Sequence, residues 1–488
     1  MKYNIYSLIM IALFVGNQLP VIDLSEDSTD NESLVQTRQE IDHKTDKEAA
    51  KRWANEKYKN WEKNLTKNKR EAIKSVLIEK QSSVQKEQLN HHLQYFGGDL
   101  KNFHVYPGSS QEKMKKKYEK DIDAMDRALN IKEGKTEEIL YVYKDVSSAD
   151  ILNLEFGTPF SGINEKLLNG FSNINRESFK QLEEDLIYGM SSSYLITNIA
   201  EEVGGDSRIK LRIRVPKGTR SAYGGENKLI FDKNIGLEFK EFSIITQMGK
   251  EYVRVNADLV DKSNVDEKIT VEKERINSDF NKRMNFVETK KLIDFDFKSL
   301  GCSIPLKEVS KELNTALNLM NQELAVSLYE HILIQKNGKI IFTDLPIWSM
   351  TSDVTMPIEN DKDRVGGYYA VKTSGNIYIR MPFGLNKYNI DANKMHIHEV
   401  LLHESGHAFD YYYGLKVEGT NVPVSNSDRF TDIYNKEKEN LTLYAASSVS
   451  EFFAEAFRIY HVSQDELKML SPETYGFIDE IIHTVINK

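Results

Sequence analysis

The spacing of apolar residues changes several times along the chain. Between residues 45 and 130, lysine and glutamate dominate and apolar residues recur at helical intervals. In KEAAKRWANEKYKNWEKNL, Ala50, Trp53, Tyr58 and Trp61 fall on one face between charged flanks. The run KMKKKYEK at 113–120 reads as a solvated helix face. From about residue 138 the pattern shortens to that of strands: Ile139 to Tyr143, Ile209 to Val215, Lys228 to Asp232 and Tyr252 to Val255. Turn-rich segments such as VGGD and YGGE separate them. Residues 262–290 are charged, with few apolar anchors, and predict a helical linker. After the Gly301 to Pro305 break, 306–335 predict one or two helices, KIIFTD and NIYIRM predict strands, and the final 95 residues are mostly helical. The fold class is α+β, and no internal repeat shows.

A chain of 488 residues has material for two or three domains. A net charge of −9 offers no basic field for nucleic acid. The one cysteine, Cys302, rules out an internal disulfide and reads as a small core residue. Residues 1–22 read as a signal peptide: Lys2 is followed by the apolar run Ile5 to Val15, too short to span a bilayer, and then by the acidic stretch Glu26 to Glu32. The expected location is therefore secreted and extracellular, without stable membrane insertion.

The candidate chemistry lies in HEVLLHESGHAFDYYYG. His403 and His407 are four residues apart, so a helix puts both imidazoles on one face, and two such nitrogens suit a tetrahedral Zn2+. Glu404 sits beside them, placed to take a proton from a water on the metal. Gly406 leaves room close by. A catalytic zinc needs three protein ligands, and Glu451, in SVSEFFAEAF, 44 residues past His407 (451 − 407), is the leading third. Glu455, one turn later, is the competitor, or else a partner that orients a ligating histidine. Tyr444, seven residues before Glu451, could donate to a developing oxyanion. His396 and His398 read as structural or exposed.

Two resemblances add to this reading. GKIIFTD, HESGHAFDYY, NLTLYAASSVSEFFAEAFRIYH and SPETYGFIDEII make residues 301–488 resemble the zinc metalloprotease domain of the anthrax lethal factor and Pro-Pro endopeptidase family. The resemblance implies a mainly helical zincin-type domain in which His403, His407 and Glu451 hold zinc, Glu404 is the base and Tyr444 assists. Residues 45–275 resemble the actin-modifying ADP-ribosyltransferase toxins of the vegetative insecticidal and binary type, a mixed α/β domain, with 276–300 as a helical linker. That family needs an arginine, a Ser-Thr-Ser strand and a Glu-x-Glu turn. Here VYKDV puts Lys144 at the arginine position, MSSSYL keeps Ser191, Ser192 and Ser193, and YGGENK keeps Glu226 but puts Lys228 at the catalytic glutamate. The implied transferase is inactive, with no cofactor besides zinc.

The expected function is a secreted zinc endopeptidase, a bacterial toxin or virulence factor acting on a host or extracellular protein or peptide. The alternative is an active, NAD-using ADP-ribosyltransferase fused to a protease. Roughly 20–25 residues separate the signal from the transferase-like region, so no large domain for docking on a pore-forming delivery partner is expected there. Delivery into a host cytosol stays open.

Overall fold

In the computed structural model, the described residues are 40–77, 89–95, 97–102, 108–146, 167–298, 300–355, 365–381, 396–420 and 422–487. The expected signal peptide lies outside them. The strands are β1 (Glu40–Ile41), β2 (Ile139–Val146), β3 (Leu168–Asn169), β4 (Asn173–Ile174), β5 (Tyr188–Ser191), β6 (Leu195–Asn198), β7 (Ile209–Val215) and β8 (Ser221–Gly225), then β9 (Lys228–Phe231), β10 (Ile235–Gln247), β11 (Lys250–Asp261), β12 (Ile293–Asp296), β13 (Ile340–Thr343), β14 (Gly367–Tyr369) and β15 (Ile377–Arg380). The first helices are α1 (Lys47–Lys57), α2 (Lys59–Lys63), α3 (Lys67–Leu77), α4 (Leu89–Tyr95), α5 (Ser110–Leu129), α6 (Arg176–Asp185) and α7 (Lys262–Met284). The later ones are α8 (Ile304–Leu319), α9 (Gln322–Tyr329), α10 (Ile397–Tyr412), α11 (Asp428–Glu437), α12 (Val449–Val462), α13 (Gln464–Leu470) and α14 (Pro472–Ile486).

Nine strands among the described residues form one mixed sheet, in the order β5-β10-β11-β7-β2-β6-β9-β8, with β1 on β2. The early helices close its face through the positions the sequence marks: Ala50, Tyr58 and Trp61 are buried, and Trp61 donates to Ala128 O at 3.1 Å. The second sheet, β12-β13-β15-β14, is parallel except for the edge pair β14–β15. α10 packs on its β14 and β15 strands, so the mainly helical C-terminal part also carries four strands.

The stretch expected as a linker is packed. Val265, Ile276, Phe280 and Met284 of α7 are buried. Two buried asparagines serve the chain that follows. Asn277 exchanges a pair of 2.8 Å hydrogen bonds with the backbone of Ile293, and Asn281 donates to Lys290 O at 2.7 Å. Residues 276–300 thus hold the end of a helix and strand β12. Just beyond, residues 301–303 run along the edge strand β5: Met190 N donates to Gly301 O at 2.7 Å and Ser303 N to Tyr188 O at 3.1 Å. Cys302 is buried there, and burial pushes its thiol up to about 12. Gln39–Lys488 form one compact unit. Among the described residues, no helix is long and apolar enough to cross a membrane.

Candidate metal centre

α10 is helical because Ile397, Leu401, Leu402, Ala408 and Phe409 repeat on a buried side. α12 starts at Ser448, whose hydroxyl accepts from the Glu451 N–H at 3.1 Å, and it buries Phe452, Phe453, Ala456 and Phe457. The helices pack through Phe409 on Phe457, with ring centroids 5.1 Å apart. Their closest approach is at Gly406, where a Cβ would lie 2.9 Å from Ala454 Cα. Gly406 therefore makes room for the second helix rather than for the metal.

This crossing brings Glu451 to both histidines. Glu451 Oε2 lies 3.1 Å from His403 Nε2 and 3.4 Å from His407 Nε2. The other ring nitrogens are engaged elsewhere: His403 Nδ1 faces Glu455 Oε2 at 3.3 Å, and His407 Nδ1 is 3.2 Å from Ser450 Oγ. Contacts at Nδ1 fix each ring and turn Nε2 inward. Glu455 is in turn held by Arg458 at 2.8 and 3.0 Å, and Arg458 reaches Glu399 at 3.4 Å. Tetrahedral zinc with ligands about 2.0–2.1 Å away needs ligand atoms roughly 3.3 Å apart. The two imidazoles and one carboxylate fit that spacing and that chemistry.

The electrostatics agree. Burial alone would lower the His403 pKa, but hydrogen bonds to Glu451 and Glu455 outweigh it and raise it to about 10. A cation is thus favoured between these carboxylates, and a metal ion would displace the proton. Burial raises the Glu455 pKa less than the hydrogen bonds to His403 and Arg458 lower it, leaving it at about 2. Glu404 is buried, and burial raises its carboxyl pKa. β14 passes directly over it, so that a Cβ on Gly367 would lie 2.6 Å from Glu404 Oε1. The Tyr444 ring lies 5.7 Å from that of His403. Although the residue is 57% exposed, burial of its hydroxyl and the neighbouring Glu451 and Glu404 carboxylates push the phenol well up.

The other sequence candidates lie in the large sheet. Lys144 is on β2, opposite Leu211. Lys228 opens β9 opposite Asn198, which is itself opposite Tyr143. Glu226 occupies a left-handed turn, φ 53°, between β8 and β9. Ser191 ends β5, and its hydroxyl donates to Ser193 O at 2.9 Å. Ser192 follows and is buried. These residues thus come from two different stretches of the sheet, β5 at one edge and the β2–β6–β9 group. The sequence reading missed Ser450, Arg458, Gly367 and Glu312. The Ser448-x-x-Glu451 spacing of a helix start signals the first turn that carries Ser450; no local signal marks the others.

Two histidines and a carboxylate on crossed helices, beside a small mixed sheet, define a zincin-type domain, here following a mixed α/β domain. Two stretches of the chain match models of anthrax toxin lethal factor. The lethal factor middle domain matches residues 21–260, and the lethal factor N- and C-terminal domain matches 371–481. Lethal factor of Bacillus anthracis is 31% identical over 412 residues, 83% of this chain and 49% of that protein. The Pro-Pro endopeptidase of Clostridioides difficile is 33% identical over 98 residues, 18% of this chain and 41% of that one. The chain thus spans about half the length of the lethal factor it matches. Among solved structures, Plx2a, an ADP-ribosyltransferase toxin from Paenibacillus larvae, is similar with a TM-score of 0.34 and 22% identity, covering 45% of this chain and 99% of that one. BECa, an ADP-ribosylating toxin of a C. perfringens binary enterotoxin, is similar with a TM-score of 0.37 and 18% identity, covering 62% of each.

Proposed function

We propose that this chain is a secreted, toxin-type zinc endopeptidase acting on a host or extracellular protein. In this reading His403, His407 and Glu451 hold the metal, Glu404 is the base and Tyr444 is an oxyanion donor. The observation that supports it most is the position of Glu451 Oε2, 3.1 and 3.4 Å from the two Nε2 atoms. When bound, zinc supplies a Lewis acid and an acidified water. Glu404, with its raised carboxyl pKa, takes a proton at its carboxylate and returns it to the leaving amine. Tyr444, kept protonated by its surroundings, donates its hydroxyl to the developing negative charge. Glu455 holds His403 and is not a ligand.

The region up to about residue 275 serves as a scaffold that positions substrate. Lys228 stands where a carboxylate would have to stabilise an oxocarbenium-like ribose, and Lys144 lacks the fork of a guanidinium.

The test joins metal content to a peptide-library cleavage profile. Glu404→Ala should keep the zinc of this centre and lose cleavage. His403→Ala or His407→Ala should lose the zinc, and Glu451→Ala should weaken metal binding far more than Glu455→Ala. Cleavage by Glu404→Ala at near the wild-type rate would overturn the mechanism.

A further inference from the structure

A second cluster with metal-ligand chemistry lies at the start of α10. Glu312 on α8, His396 just before α10 and His398 in its first turn each offer one ligand atom, and these atoms lie within 4.8 Å of one another. Glu312 is 6% exposed, on a helix face with buried Val309, Leu313 and Ala316. A carboxylate in such surroundings is retained only when it is well paired. Its Oε2 accepts from the His398 backbone N–H at 3.0 Å and from His398 Nδ1 at 2.7 Å. Burial raises the Glu312 pKa, but these bonds and the two imidazoles lower it further, so the carboxyl stays ionised. The His396 and His398 rings stack, with centroids 5.2 Å and planes 11° apart.

Two imidazoles and one ionised carboxylate form an N, N, O donor set suited to zinc and its first-row neighbours. Drawing the 4.8 Å spread in to roughly 3.3 Å requires one side chain to move by roughly 1.5 Å. His396, exposed at the N-cap of α10, would leave its capping contact with the Glu399 backbone to make that move. We propose that Glu312, His396 and His398 form a second metal site of the zinc class, which ties the start of α10 to α8. The tie bears on the principal centre through the next residue: Glu399 reaches Arg458, which holds Glu455 against His403.

The experiment uses the full chain with His403→Ala and His407→Ala, which removes the principal centre. After dialysis against chelator, this protein should bind about one equivalent of Zn2+ or Co2+, with a rise in thermal midpoint and cobalt visible absorption. Adding His396→Ala, an exposed change, should abolish all three signals and leave the near-UV circular dichroism unaltered. No metal binding by the double variant, or binding that survives His396→Ala, would overturn the proposal. In the otherwise wild-type chain, His396→Ala should reduce bound zinc from about two equivalents to about one. A single wild-type equivalent that His396→Ala leaves in place refutes this site alone. A single equivalent lost on His396→Ala refutes the principal centre instead.

Discussion

Adding one methyl group at Gly406 should separate metal binding from folding. A Cβ there would lie 2.9 Å from Ala454 Cα, 3.0 Å from Ala454 O and 3.1 Å from Phe457 Cβ. Comfortable carbon contacts are about 3.5–4.0 Å, so Gly406→Ala must move α10 and α12 apart by roughly 0.5–1 Å. Two of the three obstructing atoms are backbone and cannot rotate away. For stability, overpacking costs about 1–3 kcal/mol, while removing a glycine from a helix interior gains about 1 kcal/mol. The net loss is roughly 0–2 kcal/mol. Metal binding has no such compensation. The histidines ride on α10 and Glu451 on α12, so the shift adds to ligand spacings of 3.1 and 3.4 Å. Zinc affinity should fall about ten- to a hundredfold. Competition against a chromophoric chelator measures the affinity, and urea unfolding of the metal-free chain measures the stability. Gly476→Ala is the control: it lies in α14, and its Cβ would meet nothing within 4 Å. It should stabilise by up to about 1 kcal/mol and leave zinc affinity unchanged. Wild-type zinc affinity in a folded Gly406→Ala chain would refute the claim that the helix crossing sets the ligand spacing.

Gly367→Ala places a Cβ 2.6 Å from Glu404 Oε1 and should lower kcat about a hundredfold with zinc content unchanged; an unaltered kcat would mean the base has slack to move. Tyr444→Phe should lower kcat roughly ten- to a thousandfold with little change in KM or zinc content, whereas reduced stability with normal activity per folded molecule would mark a core residue. Burial pushes the His461 imidazole down to about 4, and its Nε2 has no hydrogen-bond partner among the described residues. The unfolded chain therefore takes up that proton first, and stability present above about pH 6.5 is lost as pH falls toward about 4, by on the order of 3 kcal/mol. His461→Gln should flatten that limb of the urea midpoint against pH, and an unchanged slope refutes the assignment. Finally, labelled NAD should transfer nothing to actin or other host proteins. Labelling that persists in Glu404→Ala but vanishes on Glu226→Ala would restore the transferase reading.

The candidate metal cluster is legible in the sequence because its spacing is helical: His403, Glu404 and His407 need only one turn of helix to converge. Glu451 and Glu455 are also one turn apart, so spacing alone left both open. The choice between them depends on where α12 crosses α10, and that is set by the contact of Gly406 with Ala454. The strands missed by the sequence reading have separate causes. β10 breaks its own alternation at the bulge between Phe239 and Glu241. β14 is three residues long. β12 follows a charged helix whose structural anchors include Asn277 and Asn281, polar residues indistinguishable in sequence from solvated ones.

The packing of residues 301–303 onto β5 gives the large sheet a structural task that does not depend on transferase chemistry. β5 ends in Ser191, and an edge strand of that kind must be covered or it invites unwanted pairing. Here its cover is the chain that leads into the C-terminal helices. Ile187 N donates to Ser303 Oγ at 2.8 Å, and Ser303 Oγ donates to Asp185 O at 2.5 Å. Gly189 makes room on β5 for the Phe239 ring, from which a Cβ there would lie 3.0 Å. α7 reinforces the join, since it packs on β10 and β5 while its asparagines hold the entry to β12. Cutting the chain at residue 300 would therefore strip β12 from the sheet beside α10 and expose β5 at the same time. The large sheet is on this argument the wall against which the C-terminal helices begin, a task that requires its edge and its packing but neither an arginine at 144 nor a glutamate at 228.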